Sequence, residues 1–244
     1  MNETTRAAFY DRYWKDELVT DSPHQRWKIR VLREVIAGLR GNSILDVGAG
    51  DGAMLSGVAP RSWKRVGTDV ADDALAKLEA RGITAAKVDL ESGRLPFDDG
   101  AFDVTMCLDV LEHVFATEEL ARELARVTSP DGHVLIAVPN GFNLANRLAF
   151  ALGRHVDVMD VAHRTGGRFS EHIRFFSEPV LDQLLDDAGL APIERHYYFP
   201  DELTDSRFQV GRWAGRLITV PRLHERIPSL FSLAFLVVCR RKRG

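Results

Sequence analysis

The run Ile44-Leu45-Asp46-Val47-Gly48-Ala49-Gly50-Asp51-Gly52 constrains this chain more than any other stretch. A short apolar strand leads into three alternating glycines, and a helical composition follows. Glycine accepts positive φ and lets the backbone approach a ligand with no Cβ in the way. Such a strand–turn–helix unit belongs to parallel α/β sheets, and the chain continues in the same rhythm. SILDVG, RVGTDV, TAAKVD, FDVTMCLDV and HVLIAVP read as strands. Between them, DDALAKLEARG and TEELARELARV read as helices, the second ending in a Ser-Pro-Asp-Gly turn. Upstream, Trp27, Val31, Leu32, Val35, Ile36 and Leu39 recur at helical spacing, so 24–39 reads as an amphipathic helix stopped by Gly41-Asn42.

Two stretches break the rhythm. Residues 140–175 hold a helix from Asn143 to Leu152 and then a Gly/Arg/His-rich loop, and 200–227 reads as a second insertion. Insertions of that length in α/β enzymes commonly serve as lids or substrate pockets. The expected organisation is one domain over 1–244: a helical lid (1–41), a cofactor-binding core (42–139), and substrate-side insertions (140–175 and 200–227).

The bulk properties exclude several classes. A formal charge of -3 over 244 residues gives no electrostatic reason for a polyanion partner, so nucleic acid is not expected. Cys107 and Cys239 sit in apolar runs and read as small buried hydrophobes, and neither a CxxC nor a zinc spacing occurs. The N-terminal sequence is polar, without a signal-peptide core. The apolar stretch from Leu230 to Cys239 is far short of the roughly 20 residues a bilayer span needs. The expectation is a cytoplasmic protein without stable membrane insertion, its oligomeric state open. Arg240–Arg243 read as solvated charge.

Four consecutive strand ends place polar groups on one rim of the sheet: Gly48–Gly52, then Asp69, then Asp89, then Leu108-Asp109. Open α/β sheets bind ligands there, where the strand order switches. An acidic residue about twenty positions past the glycine turn suits ribose hydroxyls, a feature shared with dinucleotide dehydrogenases. Those enzymes more often carry G-x-G-x-x-G, whereas this turn reads GAGDG.

The glycine turn resembles the D-x-G-x-G-x-G motif of class I S-adenosylmethionine-dependent methyltransferases, filled by Asp46, Gly48, Gly50 and Gly52. Leu95–Asp103 (LPFDDGAFD), Leu108–Val114 (LDVLEHV) and His172–Ser177 (HIRFFS), with Leu184-Leu185 and Ala188-Gly189-Leu190, are similar to further segments of the small-molecule members, in the same order. The likeness spans roughly residues 40 to 198. It implies a Rossmann-like, seven-stranded, mostly parallel sheet with helices on both faces, plus an N-terminal helix and cap insertions. It also implies S-adenosyl-L-methionine, with Gly48, Gly50 and Gly52 lining its amino-acid end, Asp69 holding the ribose, Asp89 the adenine amino group, the backbone near Leu90 and Leu108 completing the site, and Asp46, Ala49 and Val70 among the further cofactor contacts.

For chemistry, a hydroxyl acceptor must lose a proton, and a positioned histidine is the usual means. His113 and His172 are the candidates, with Asp109 orienting a base, touching the cofactor or capping a helix; Glu112 has the same options. His113 reads equally as a packing residue beneath the cofactor. His155 and His163 read as weaker, solvated alternatives. Tyr13, Trp14, Arg168, Arg174 and Tyr198 are the expected substrate contacts. Asp157, Asp160, His163 and His172 offer ligands for a cation such as magnesium, at a spacing that matches no rigid motif, so no metal ligands are assigned. The stretch from Val138 to Arg154 resembles methyltransferases of glycan assembly and accessory proteins of methionine biosynthesis. The expected acceptor is therefore a small-molecule hydroxyl, for instance on a saccharide. Alternatives are N- or C-methylation, or a cofactor-binding partner protein without turnover. No N/D-P-P-Y/F tetrapeptide, typical of nucleobase amino-methylating enzymes, follows the fourth strand.

Overall fold

The computed structural model describes residues 11, 22–153, 172–199 and 223–242. Seven strands form one sheet: β1 Ser43–Val47, β2 Lys64–Asp69, β3 Thr84–Lys87, β4 Phe102–Leu108, β5 Thr128–Pro139, β6 Leu190–Tyr198 and β7 Ala234–Arg241. Their order is β3-β2-β1-β4-β5-β7-β6. All neighbours run parallel except β7, which pairs antiparallel with β5 and β6. The chain builds outward from β1 to β3 and then returns to the other side of β1 with β4. The order therefore switches between β1 and β4, and the carboxyl ends of those two strands diverge into a crevice.

Eight helices are described: α1 Pro23–Gly38, α2 Ala53–Val58, α3 Asp72–Ala80, α4 Thr117–Val127, α5 Leu144–Ala151, α6 Glu178–Asp187, α7 Leu223–Arg226 and α8 Pro228–Phe231. Short 3₁₀ turns occur at Leu90–Ser92 and Leu111–His113. Because side chains alternate along a strand, each strand feeds two cores. Leu135 and Ala137 of β5 join Trp27, Leu32 and Ile36 of α1 on one face. Val134, Ile136 and Val138 join Leu120 and Leu124 of α4 and Leu181 and Leu185 of α6 on the other. Both cysteines are free and buried, as small hydrophobes in this core.

α1 starts where its sequence dictates. Ser22 accepts a hydrogen bond from the Gln25 amide, and Pro23 fills the first turn, where its missing N–H costs nothing. Its buried side continues the sheet core, so residues 23–38 are a structural layer of the domain and not a free lid. Of the other residues assigned to the lid, 1–10 and 12–21 lie outside the described ones. The Ser-Pro-Asp-Gly segment also differs from expectation. It lies within β5, where the register jumps from Phe102↔Thr128 to Val104↔His133, forming a bulge and not a terminating turn. Proline has no N–H to donate to a ladder, which suits a bulge.

Among the described residues no helix is long and apolar enough to cross a membrane.

Candidate active site

The glycine turn takes the conformation its residues allow. Gly48, Gly50 and Gly52 all have positive φ, at 73°, 54° and 72°. A Cβ on Gly48 would lie 2.6 Å from Val110, and one on Gly52 would lie 2.6 Å from Leu78. Close packing thus demands glycine at both places, apart from any ligand. Asp69, at the end of β2, holds the turn from the side. One carboxylate oxygen accepts from the Gly50 amide at 3.0 Å, the other from Ala71 at 3.0 Å.

Above this turn, in the crevice between β1 and β4, lies a cavity of about 460 Å³. Of the expected cofactor residues, Asp46, Gly48, Ala49, Asp69, Val70, Asp89, Leu90 and Leu108 line it. Gly50 and Gly52 do not; they shape the turn from behind. His113, His172 and Asp109 also line the cavity, so three sequence-distant candidates converge on one wall.

The lining is rich in carboxylates. Asp46, Asp51, Asp69, Asp89, Glu91, Asp109 and Glu112 contribute, against the single ammonium of Lys28 among the described residues. Burial pushes Asp46 up to about 7; Lys28 opposes the shift and Asp69 adds to it. Burial likewise raises Asp69, against the pull of its backbone amides. Such a wall favours a ligand that carries positive charge and hydrogen-bond donors. S-adenosylmethionine, with a sulfonium, an α-ammonium, ribose hydroxyls and an adenine amino group, fits that donor set. A dinucleotide pyrophosphate does not. Its usual seat, the first-turn amides of the helix after the glycine turn, is already occupied at Ala53, whose N–H donates to Asp51 Oδ1 at 3.0 Å.

The far wall is built at the end of β4. Asp109 has φ of 55°, the one non-glycine positive φ among the described residues, and Asp tolerates that region better than most. Its carboxylate pairs with the ammonium of Lys28, which is 2% exposed. Burial, the largest single influence, would raise Asp109, but the charge and hydrogen bond of Lys28 together with His24 and His113 hold the carboxyl below its ordinary value. The chain then makes the 3₁₀ turn Leu111–His113, which buries Glu112 completely. Burial, aided by Asp109, raises Glu112 to about 8. His172 arrives from sixty residues away because the Ile173 amide donates to the Glu112 carbonyl at 2.9 Å. Its ring then lies 4.7 Å from that of His113, edge to face. Burial and His113 push His172 down to about 4, so its imidazole is neutral at physiological pH.

Two expected substrate residues stand elsewhere. Tyr198 is buried at the end of β6, with its ring 4.8 Å from His24 and 5.3 Å from Trp27. It secures α1 to the sheet edge and does not line the cavity. Arg174 donates to the Phe115 carbonyl at 3.1 Å and is likewise absent from the lining. Tyr13, Trp14 and Arg168 lie outside the described residues, as do Asp157, Asp160, His163 and His155. Of the four residues considered for a cation, only His172 is described, and its neighbours are Glu112 and His113. A donor atom from each of these three lies within 4.8 Å of the others, so they are the described residues able to hold a metal.

Lys28 and His24 were missed from the sequence, although both line the cavity. The signal was a charged residue inside the buried face of α1, among Trp27, Val31, Leu32 and Val35.

Comparison with known proteins agrees with this geometry. A family model described as a methyltransferase domain matches residues 23–195. The ubiquinone biosynthesis O-methyltransferase of Alkalilimnicola ehrlichii is 28% identical over 159 residues, covering 57% of this chain and 63% of that protein. The match thus spans less than two thirds of that relative. The protein of the same name from Pectobacterium atrosepticum is 29% identical, covering 84% of this chain and 85% of its own. In fold, the chain is similar to an S-adenosylmethionine-dependent methyltransferase from Mesorhizobium loti, at a TM-score of 0.60 and 21% identity over 89% of this chain and 98% of that one. The chain therefore belongs to the methyltransferase-domain family, as a class I S-adenosylmethionine-dependent methyltransferase.

Proposed function

We propose that this protein methylates a hydroxyl of a small molecule, with an imidazole of the His113–His172 pair accepting the hydroxyl proton. The observation that carries this reading is the pair itself, two imidazoles meeting at 4.7 Å on the wall of the cofactor cavity. When bound, S-adenosylmethionine supplies a sulfonium methyl that the acceptor oxygen takes as the C–S bond breaks and sulfur leaves as a neutral thioether. The protein's part is alignment and proton removal. Asp69 fixes the glycine turn, Lys28 fixes Asp109, and the Ile173–Glu112 backbone bond brings His172 to His113. His172 is neutral with a free lone pair; burial and His113 oppose the imidazolium that forms on taking the proton, and the Asp109 charge favours it.

The names of the two relatives, ubiquinone biosynthesis O-methyltransferases, support oxygen as the atom methylated and do not point to the saccharide hydroxyl expected from the sequence. The test is an acceptor panel of phenols, catechols and saccharides with S-adenosylmethionine, read by mass spectrometry of the products. An O-methylated product is expected, its rate reduced roughly 10²–10⁴-fold by replacing whichever histidine is the base. Methylation confined to nitrogen or carbon acceptors, indifferent to His113→Ala and His172→Ala, would sink the reading.

A further inference from the structure

The loop that leaves β5 is braced by three asparagines. Asn140, 3% exposed, donates its side-chain amide to the carbonyls of Ser229 at 2.7 Å and Ser232 at 2.9 Å. Its Oδ1 accepts from the Phe142 amide at 3.0 Å. Asn143 donates to the Asn140 carbonyl and Asn146 to the Gly141 carbonyl, both at 3.0 Å. Arg147 closes the set on the Phe142 carbonyl at 2.6 Å. A polar network satisfied to this degree makes its loop rigid. Gly141, inside it, lies flush against Phe175. A Cβ there would come within 2.6 Å of the Phe175 Cβ and Cδ1 and 2.7 Å of its Cγ. The φ of Gly141 is outside the left-handed region, so the backbone alone would accept another residue. Glycine is required at 141 by the ring of Phe175.

That ring reaches the histidine pair. Its centroid is 6.3 Å from that of His172, edge to face at 75°, within the range of a favourable aromatic pair. The main chain here is held on both sides, by the Ile173 amide on the Glu112 carbonyl and by a parallel bridge between Phe176 and Asn140. Backbone bonds bring His172 to the cavity but do not set its side-chain torsions; packing against neighbouring rings does. We propose that Gly141 and Phe175 are positioning residues: the asparagine-braced loop fixes the Phe175 ring, which holds the imidazole of His172 against His113. Neither Gly141 nor Phe175 lines the cavity, so each acts through His172 and not on a ligand. Their role in the reaction rests on the proposed proton transfer to the histidine pair. A base must stand within hydrogen-bond reach of the proton it takes, and small misplacements are costly there.

The test is NMR of the full chain labelled at its histidine rings, each ring assigned by its loss on replacement with Gln. The readout is the nuclear Overhauser contact between the rings of His172 and His113, which reports distance whatever the ring current of Phe175. His133 of β5, paired with Arg240, serves as the control. The contact is expected in the wild type and in Phe175→Tyr, and its loss in Gly141→Ala and Phe175→Leu, with the His133 signals unmoved. Should Gly141→Ala fail to fold, Phe175→Leu carries the test. A contact absent from the wild type or kept in Phe175→Leu would overturn the proposal. So would a shift of His133 alongside it, since that marks a general loosening of the fold. S-adenosylmethionine affinity should stay the same in Phe175→Leu, while kcat for whichever acceptor of the panel is methylated falls by up to roughly 100-fold. Loss of the ring contact with turnover indifferent to His172→Ala keeps the positioning and removes the base. Turnover abolished by His172→Ala with the contact intact in Phe175→Leu removes the positioning alone.

Discussion

Two carboxylate clusters of this fold are built to opposite ends. Around Arg126, on α4, every charge is answered. The guanidinium donates to both oxygens of Glu123, to Asp99 and to the carbonyls of Leu95 and Phe97, and Glu123 also accepts from the Leu95 amide. The shared hydrogen bonds and charges lower Glu123 and Asp99 and raise Arg126. Around Asp109 and Glu112, at the end of β4, one ammonium pairs with Asp109 alone and three carboxylate oxygens go unanswered. The first cluster stitches the 95–99 loop to a helix and has nothing left to offer a ligand. The second keeps its binding capacity unspent. Polar groups that a fold leaves unsatisfied at a crevice are where its chemistry belongs.

That contrast can be broken by substitution. Lys28→Met is expected to cost the most stability, about 3 kcal/mol, because it leaves a carboxylate without its counter-ion. The figure sits at the low end for a broken buried pair because Asp109 keeps 29% of its side chain exposed. Chemical denaturation measures the loss, and a cost under about 0.5 kcal/mol would mean that Lys28 does not hold the site together. Arg126→Met is expected to cost about 2 kcal/mol, since the freed carboxylates and carbonyls can reach water. It should leave S-adenosylmethionine affinity unchanged; a lowered affinity would show that the two clusters are coupled.

A third effect concerns pH. Asp46 has its folded pKa raised by burial to about 7, against an unfolded value near 4. The folded state therefore binds the proton more tightly, and Asp46's contribution to stability falls as pH rises from about 4 to about 7. Lys28, Asp69 and Cys107 are the groups that feel this charge. Asp46→Asn should flatten the stability profile in that window, measured by denaturation at successive pH values. An unchanged slope would assign the pH dependence to other groups, Glu112 first among them.

Much of the sheet was legible because its signals are local. A strand of β-branched residues closed by glycine or aspartate announces itself, and the order of five such strands with their helices follows. The rim residues Asp69, Asp89 and Asp109 were legible for the same reason, since each ends a strand. What could not be read depends on contacts between distant segments. Tyr198 ends a strand as convincingly as Asp69 does, but His24 and Trp27 of α1 cover it. From the sequence Glu112 could orient a base, touch the cofactor or cap a helix, and only the Ile173 amide, by bringing His172 to it, singles out its place in the fold. Lys28 was visible as a charge on an apolar helix face, and a charge there needs a buried partner. That partner, Asp109, is eighty-one positions away.

The most direct measurement is calorimetric titration of the purified chain with S-adenosylmethionine and, separately, with NADH, comparing wild type with Asp69→Ala. Asp69 both lines the cavity and holds the Gly50 amide, so its loss strikes the ligand and the turn together. The account predicts saturable binding of S-adenosylmethionine, weakened at least about tenfold in the variant, as loss of a charge-assisted hydrogen bond implies, with no heat from NADH. Binding of NADH, or a folded wild-type protein indifferent to S-adenosylmethionine, would contradict it.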